Sequence, residues 1–204
     1  MNIKDNYAIQ AQIAKTHFLN YDQKSLIRKF RLDADCDYLY IRFIGQKHRI
    51  HRETGDISKE TETGWADANS FNEVLTIFDL LCDSREDRHL SGRWKSMQNF
   101  GLLFHTNLLE DRKDPTAAIF DRDPQRLHRA CQALNARPFP GSDIGYAIEI
   151  FDGLELALQF WHGDEEFHPR LRYLWDENAT MYLKYETMYY AVSLLLRRIG
   201  EEMD

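Results

Sequence analysis

From Ile144 to Phe160 the chain reads IGYAIEIFDGLELALQF, and no other stretch limits the fold as tightly. Ile144, Tyr146, Ile148 and Ile150 alternate with other residues, and Leu154, Leu156, Leu158 and Phe160 then do the same. A period of two puts each set on one face of an extended strand. The intervening Asp152-Gly153 suits a two-residue hairpin turn, which folds the strands back antiparallel. After His162 to Glu166 the alternation resumes, with Phe167, Pro169, Leu171, Tyr173 and Trp175 on one face and His168, Arg170, Arg172 and Asp176 on the other. The expected element is a three-stranded meander, apolar beneath and polar above.

The rest of the chain supplies helices and a second hairpin. Tyr7, Ala11, Ala14 and Phe18 share one helical face, and a short helix is expected over Gln23–Phe30. Leu39, Ile41 and Phe43 alternate with Tyr40 and Arg42, and Gly45-Gln46 offers a turn into residues 47–52. Residues 53–65 are polar, contain the turn signal Thr54-Gly55, and read mostly as loop. Ser70 and Glu73 form a capping box that opens a helix over residues 71–82, followed by a charged loop over 84–89. Asp114-Pro115 and Asp123-Pro124 each put an N-cap acceptor before a proline that needs no N–H donor, the second opening a helix over 124–134. Pro138 and Pro140 enforce an extended connection. Residues 188–199 are apolar on nearly every side, with Gly200 where a helix C-cap falls. The expected fold is α+β: one domain over residues 1–204, an antiparallel sheet with helices packed on its apolar face.

Charge and cysteine usage narrow the function classes. A net charge of −7 opposes general phosphate-backbone binding, so nucleic acid is not an expected partner. The densest basic run, Lys47 to Arg52, splits its charges between two strand faces and reads as a solvated, charge-protected edge. Cys36, Cys82 and Cys131 form none of the close pairs used for zinc or iron–sulfur ligation, and read as reduced and structural. No charged start with an apolar run follows Met1, and no stretch of about 18 apolar residues occurs. No membrane association and a cytoplasmic location are expected.

The runs YLYIRFIGQKHRI, HLSGRWKSM and FWHGDEEFHPRLRYLWDENATMYLKYET occur in an order that resembles the domain of unknown function 3786 family, over about residues 38–190. Its most specific pieces are Ser91-Gly92-Arg93-Trp94, Gly163 to Phe167, and Leu174-Trp175-Asp176. The resemblance implies no established activity. Some family members look like fusions to a cysteine-rich iron–sulfur segment, which the three scattered cysteines here do not match, so no cluster or corrinoid role is carried over.

Two stretches are candidate sites. His162, Asp164, Glu165, Glu166 and His168 crowd the connection between the second and third meander strands. Read structurally, this is a solvated hairpin loop in which Gly163 supplies a positive φ and Asp164 caps the turn. Read chemically, carboxylates and imidazole could ligate a divalent cation or act as acid and base. Arg93 beside Trp94 offers a planar cation and a stacking surface, or else a salt bridge and a buried ring. Asp176 lies too far along its strand to join the acidic loop and, with Asn178 as competitor, is expected to cap a helix over 179–184. His17, His89, His105 and His128 have no second ligand at useful spacing, and HExxH, GxSxG, phosphate-loop and dinucleotide fingerprints are missing.

The resulting expectation is a non-catalytic binding or accessory module for a small anionic ligand or a partner protein, with homo-oligomerisation as one form of the latter. The alternative is a metal-assisted hydrolase or transferase with Asp164 and Glu166 as ligands or base and Arg93 polarising the substrate. The sequence specifies neither a cofactor nor the identity of a small-molecule ligand.

Overall fold

Strand pairing in the computed structural model, which describes residues 3–100 and 114–203, builds two antiparallel sheets of five strands each. The chain runs α1 (Ile3–Asn20), α2 (Gln23–Phe30), β1 (Asp33–Ala34), β2 (Tyr38–Phe43), β3 (Gln46–His51), β4 (Ile57–Thr61), β5 (Gly64–Asp67) and α3 (Phe71–Phe78). It continues with β6 (Trp94–Ser96), α4 (Pro115–Arg122), α5 (Pro124–Ala133), β7 (Arg137–Pro138), β8 (Ile144–Phe151), β9 (Leu154–Trp161), β10 (Arg170–Asp176) and α6 (Tyr185–Met203). The class is α+β, as the periodicity requires. Contacts divide into two compact units, Met1–His89 with Thr180–Leu194, and Leu90–Ala179 with Leu195–Asp204. No described helix is long and apolar enough to cross a membrane.

In the first unit the strand order is β1-β2-β3-β4-β5. Leu39, Ile41, Phe43, Ile50 and Ile57 are buried on one face. Phe18 of α1 stacks on Phe78 of α3 at 4.7 Å between ring centroids, and burying the Phe18 ring alone is worth about 2–3 kcal/mol. Helix α2 starts where Asp22 accepts the Lys24 N–H, and α3 starts at Ser70, whose hydroxyl lies 2.6 Å from Glu73 Oε2. Beyond Phe78 the helix widens into one π-helical turn, Asp79–Asp83.

Three expectations about this unit are corrected. The basic run over residues 47–52 is not a sheet edge, because β3 pairs with β2 on one side and β4 on the other. The β2–β3 turn is Ile44-Gly45, with φ of 47° and 71°, because Phe43 pairs with Gln46 and leaves only two residues for the loop. Residues 53–65 are not mostly loop: β4 pairs with β3, and β5 returns through Glu60–Trp65 and Thr61–Gly64. Their polarity reflects a hairpin that buries fully only Ile57, while backbone pairing satisfies the rest.

In the second unit the order is β6-β10-β9-β8-β7, so the three consecutive strands β8, β9 and β10 form the expected meander. Asp152 (φ 51°) and Gly153 (φ 79°) make the turn, and Glu149 accepts the Gly153 N–H at 2.9 Å. The register aligns Ile144 with Phe160, Phe160 with Leu171, and Tyr146 with Leu158 and then Tyr173. On this face Phe120 of α4 packs edge-on to Phe160, and His128 Nδ1 of α5 lies 2.8 Å from the Tyr146 hydroxyl. Asp114 and Asp123 cap α4 and α5 by accepting the Thr116 and Arg126 N–H groups, with Pro115 and Pro124 in the first turns.

Three further corrections fall here. The third strand begins at Arg170, so Phe167 is not a core residue but 68% exposed. The upper sheet face is not wholly polar: Ala147, Ala157 and Leu174 are buried there under Trp94 and Phe139, because small side chains let those rings approach. Gly200 lies inside α6 with open space around its Cβ position, and the helix runs on to Met203. His105 lies outside the described residues.

Candidate functional site

The acidic loop between β9 and β10 is held by hydrogen bonds that pattern reading could not supply. Asp143 accepts the His162 N–H at 2.9 Å, and Asp121, at the end of α4, lies 2.8 Å from His162 Nδ1. Asp164 Oδ1 accepts the N–H groups of Glu166 at 2.8 Å and Phe167 at 2.7 Å, while the Asp164 N–H donates to the Phe167 carbonyl at 2.9 Å. This closes an Asx-type turn, and the Phe167 and Glu166 donors hold the Asp164 carboxyl below the usual carboxylate range. The cap role read for Asp164 is therefore present.

The role read for Gly163 is corrected: its φ is not positive. A Cβ there would lie 2.7 Å from Pro169 Cδ and 3.0 Å from Pro169 N, so glycine is required by close approach of the chain after the loop. Glu165, Glu166, Phe167 and His168 all face solvent. Among the described residues no three His, Cys, Asp or Glu side chains gather as a metal-binding group. Among the described residues, the ring partner of His162 is the Asp121 carboxylate.

The second candidate stretch is built around Asp176, which ends β10. One carboxylate oxygen accepts the Ser91 N–H and the Ser91 hydroxyl, each at 3.1 Å, and the Asn178 N–H at 2.8 Å, while the other accepts the Gly92 N–H at 2.8 Å. Asp176 is buried. Burial pushes its carboxyl upward, but the Asn178, Ser91 and Gly92 donors outweigh this and hold it below the ordinary range. The expected cap survives only in part, since Ala179–Met181 is a short 3-10 turn and the same carboxylate also fastens a loop 85 residues away.

That loop aims Arg93 outward. Its Nε donates to Glu177 Oε1 at 2.8 Å, a terminal nitrogen contacts the same oxygen, and the Glu177 N–H returns to the Arg93 carbonyl. Arg93 is thus engaged by a neighbouring carboxylate while its side chain stays 76% exposed. Trp94 is half-buried against Phe139 at 4.8 Å, with the Arg137 guanidinium over its ring at 5.7 Å. Pattern reading singled out Arg93, Trp94 and the acidic loop as candidates, passed over Asp121 and Asp143, which carry no local signal, and read Asp176 too narrowly.

The family model described as "Domain of unknown function (DUF3786)" matches residues 22–198 of the 204-residue chain, and the chain belongs to that family. No curated protein and no solved structure matches it.

Proposed function

We propose that this member of the family is a non-catalytic binding or accessory module that engages a partner protein through residues 162–168. The observation that carries the reading is Phe167: an aromatic ring 68% exposed at the end of a turn that Asp164 closes with two hydrogen bonds. An isolated exposed ring of this size gains most by entering an apolar notch, and a loop already ordered loses little entropy on docking. Glu165 and Glu166 beside it favour a notch rimmed by Lys and Arg over a small anion. The acid–base groups nearby support binding rather than chemistry, because Asp164 is committed to the backbone and His162 to Asp121.

The test is a photo-reactive phenylalanine at position 167, with Ile119, 52% exposed on α4, as the control position. A protein cross-linked only from position 167, and lost in the Glu165→Gln/Glu166→Gln variant, is the expected result. Identical adducts from both positions, or none from 167, would remove the reading.

A further inference from the structure

We infer that the outward face of the first sheet is a binding site for a pyrophosphate group, held by Lys47 and Arg49 of β3. The site is separate from the acidic loop and does not rest on the docking reading.

Lys47 and Arg49 are two residues apart on one strand, so they share a face at a spacing of roughly 6.6 Å. Neither is held by an acid. The Arg49 guanidinium lies between two rings, 4.3 Å from the Tyr38 centroid and 4.4 Å from that of Trp65, and Lys47 Nζ sits 5.0 Å from the centre of Tyr40. Among the described residues neither cation makes a hydrogen bond or ion pair, and Arg49 Nε is sealed from solvent without an acceptor.

The chain has 33 acidic against 26 basic residues, and among the described residues Arg170, 4.5 Å from the Trp161 centroid, is a second ring-held guanidinium with no acid beside it. Arg85, Arg93, Arg137 and Arg198 all pair with carboxylates. Rings can fix the plane of a guanidinium without neutralising it, which leaves its terminal N–H groups oriented and uncommitted. An oxyanion arriving there meets a fork that has already lost its rotamer freedom, so the binding cost is low.

The remaining charges place the ligand. Arg42 stands opposite Lys47 in register and adds a third cation, its Nη1 donating to the Gly45 carbonyl. Acids flank this strip on both sides of the same face: Glu60 and Asp67 on β4 and β5, and Asp33 opposite Tyr40 with Asp35 accepting the Tyr40 hydroxyl at 2.6 Å on the β1 side, and each would repel an anion placed over it. The favourable position is therefore over β2 and β3, between Arg42, Lys47 and Arg49. Two linked phosphates can satisfy cations on alternate positions of one strand, as a single carboxylate cannot. Single-stranded nucleic acid is disfavoured because Tyr38 and Trp65, the rings on which bases would stack, are already occupied by Arg49.

The test is calorimetric titration of the full chain with inorganic pyrophosphate, ADP and oligothymidylate at one fixed salt concentration. Pyrophosphate or ADP is expected to bind, the tighter of the two identifying the source of the group. Affinity should fall by about tenfold in Lys47→Gln and in Arg49→Lys, which keeps the charge but loses the fork. Lys47 is exposed, so Lys47→Gln keeps the fold and is the deciding variant. No heat with either phosphate at millimolar concentration, unchanged affinity in Lys47→Gln, or tighter binding of oligothymidylate would each overturn the proposal.

Discussion

Ser91 and Asp176 stand 85 residues apart, yet the backbone N–H and the hydroxyl of Ser91 both reach one carboxylate oxygen of Asp176 at 3.1 Å. With Gly92 and Asn178 as further donors, this carboxylate organises the start of the Ser91-Gly92-Arg93-Trp94 run. Asp176→Ala removes the common acceptor of four hydrogen bonds whose donors, on Ser91, Gly92 and Asn178, are half-buried or exposed and can turn to water, at a cost of about 1–2 kcal/mol. Chemical denaturation should show that loss with an unchanged slope.

The same carboxylate sets a pH dependence. Its folded value lies below the unfolded value of about 3.9, so the stabilisation it gives is complete above roughly pH 4 and disappears as pH falls through the folded value. Other depressed carboxyls, such as that of Asp164, contribute in the same window. The melting temperature of the wild type minus that of Asp176→Asn isolates Asp176, and this difference should shrink as the pH is lowered below about 4. A difference that stays constant as the pH falls to the onset of acid unfolding would contradict the assignment.

Gly163 and Gly92 should fail for different reasons. Gly163→Ala drives a methyl against the ring and backbone nitrogen of Pro169, so a loss of about 1–3 kcal/mol is expected from overpacking. Gly92 has open space but a φ of +75°, so Gly92→Ala should cost about 1–2 kcal/mol from backbone conformation alone. Gly92→Asn, which tolerates that conformation, should recover part of the loss, whereas Gly163→Asn should not. Thermal melts of the four variants make the comparison.

The cysteines should differ in reactivity. Burial pushes the thiols of Cys82 and Cys131 up to about 12, whereas Cys36 is exposed. Alkylation of the native protein near pH 8 should modify Cys36 rapidly, and the other two only after denaturant is added. Mass spectrometry resolves the sites.

Asp164→Ala should release the turn beneath Phe167, with a small loss of stability because the carboxylate is exposed. The larger expected effect is on binding: cross-linking from the photo-reactive phenylalanine at position 167 should weaken although Glu165 and Glu166 are unchanged, because the ring is no longer held outward. Equal cross-linking with and without Asp164 would show that the turn does not position the ring.

Features legible in the sequence depended on neighbours a few residues apart. The period of two through Ile144 and Phe160, the Asp152-Gly153 turn and the Asp-Pro starts of α4 and α5 are decided by local sterics and hydrogen bonding, and the structure has them where the pattern puts them. The polar hairpin of β4 and β5 was not legible, because an alternation carried by one buried isoleucine is too weak to distinguish strand from loop. Phe167 misled for the opposite reason: it continues an apolar alternation that the backbone abandons before Arg170.

The sequence by itself determined the class, the meander and the family, since each follows from the order of residues along the chain. Only the tertiary structure decided that Asp121 takes His162, that Asp176 takes Ser91, and that Arg49 lies between Tyr38 and Trp65. Such partners are chosen by strand register and by which groups lose water together, and a charged side chain carries no mark in the linear sequence of the distant group that will satisfy it.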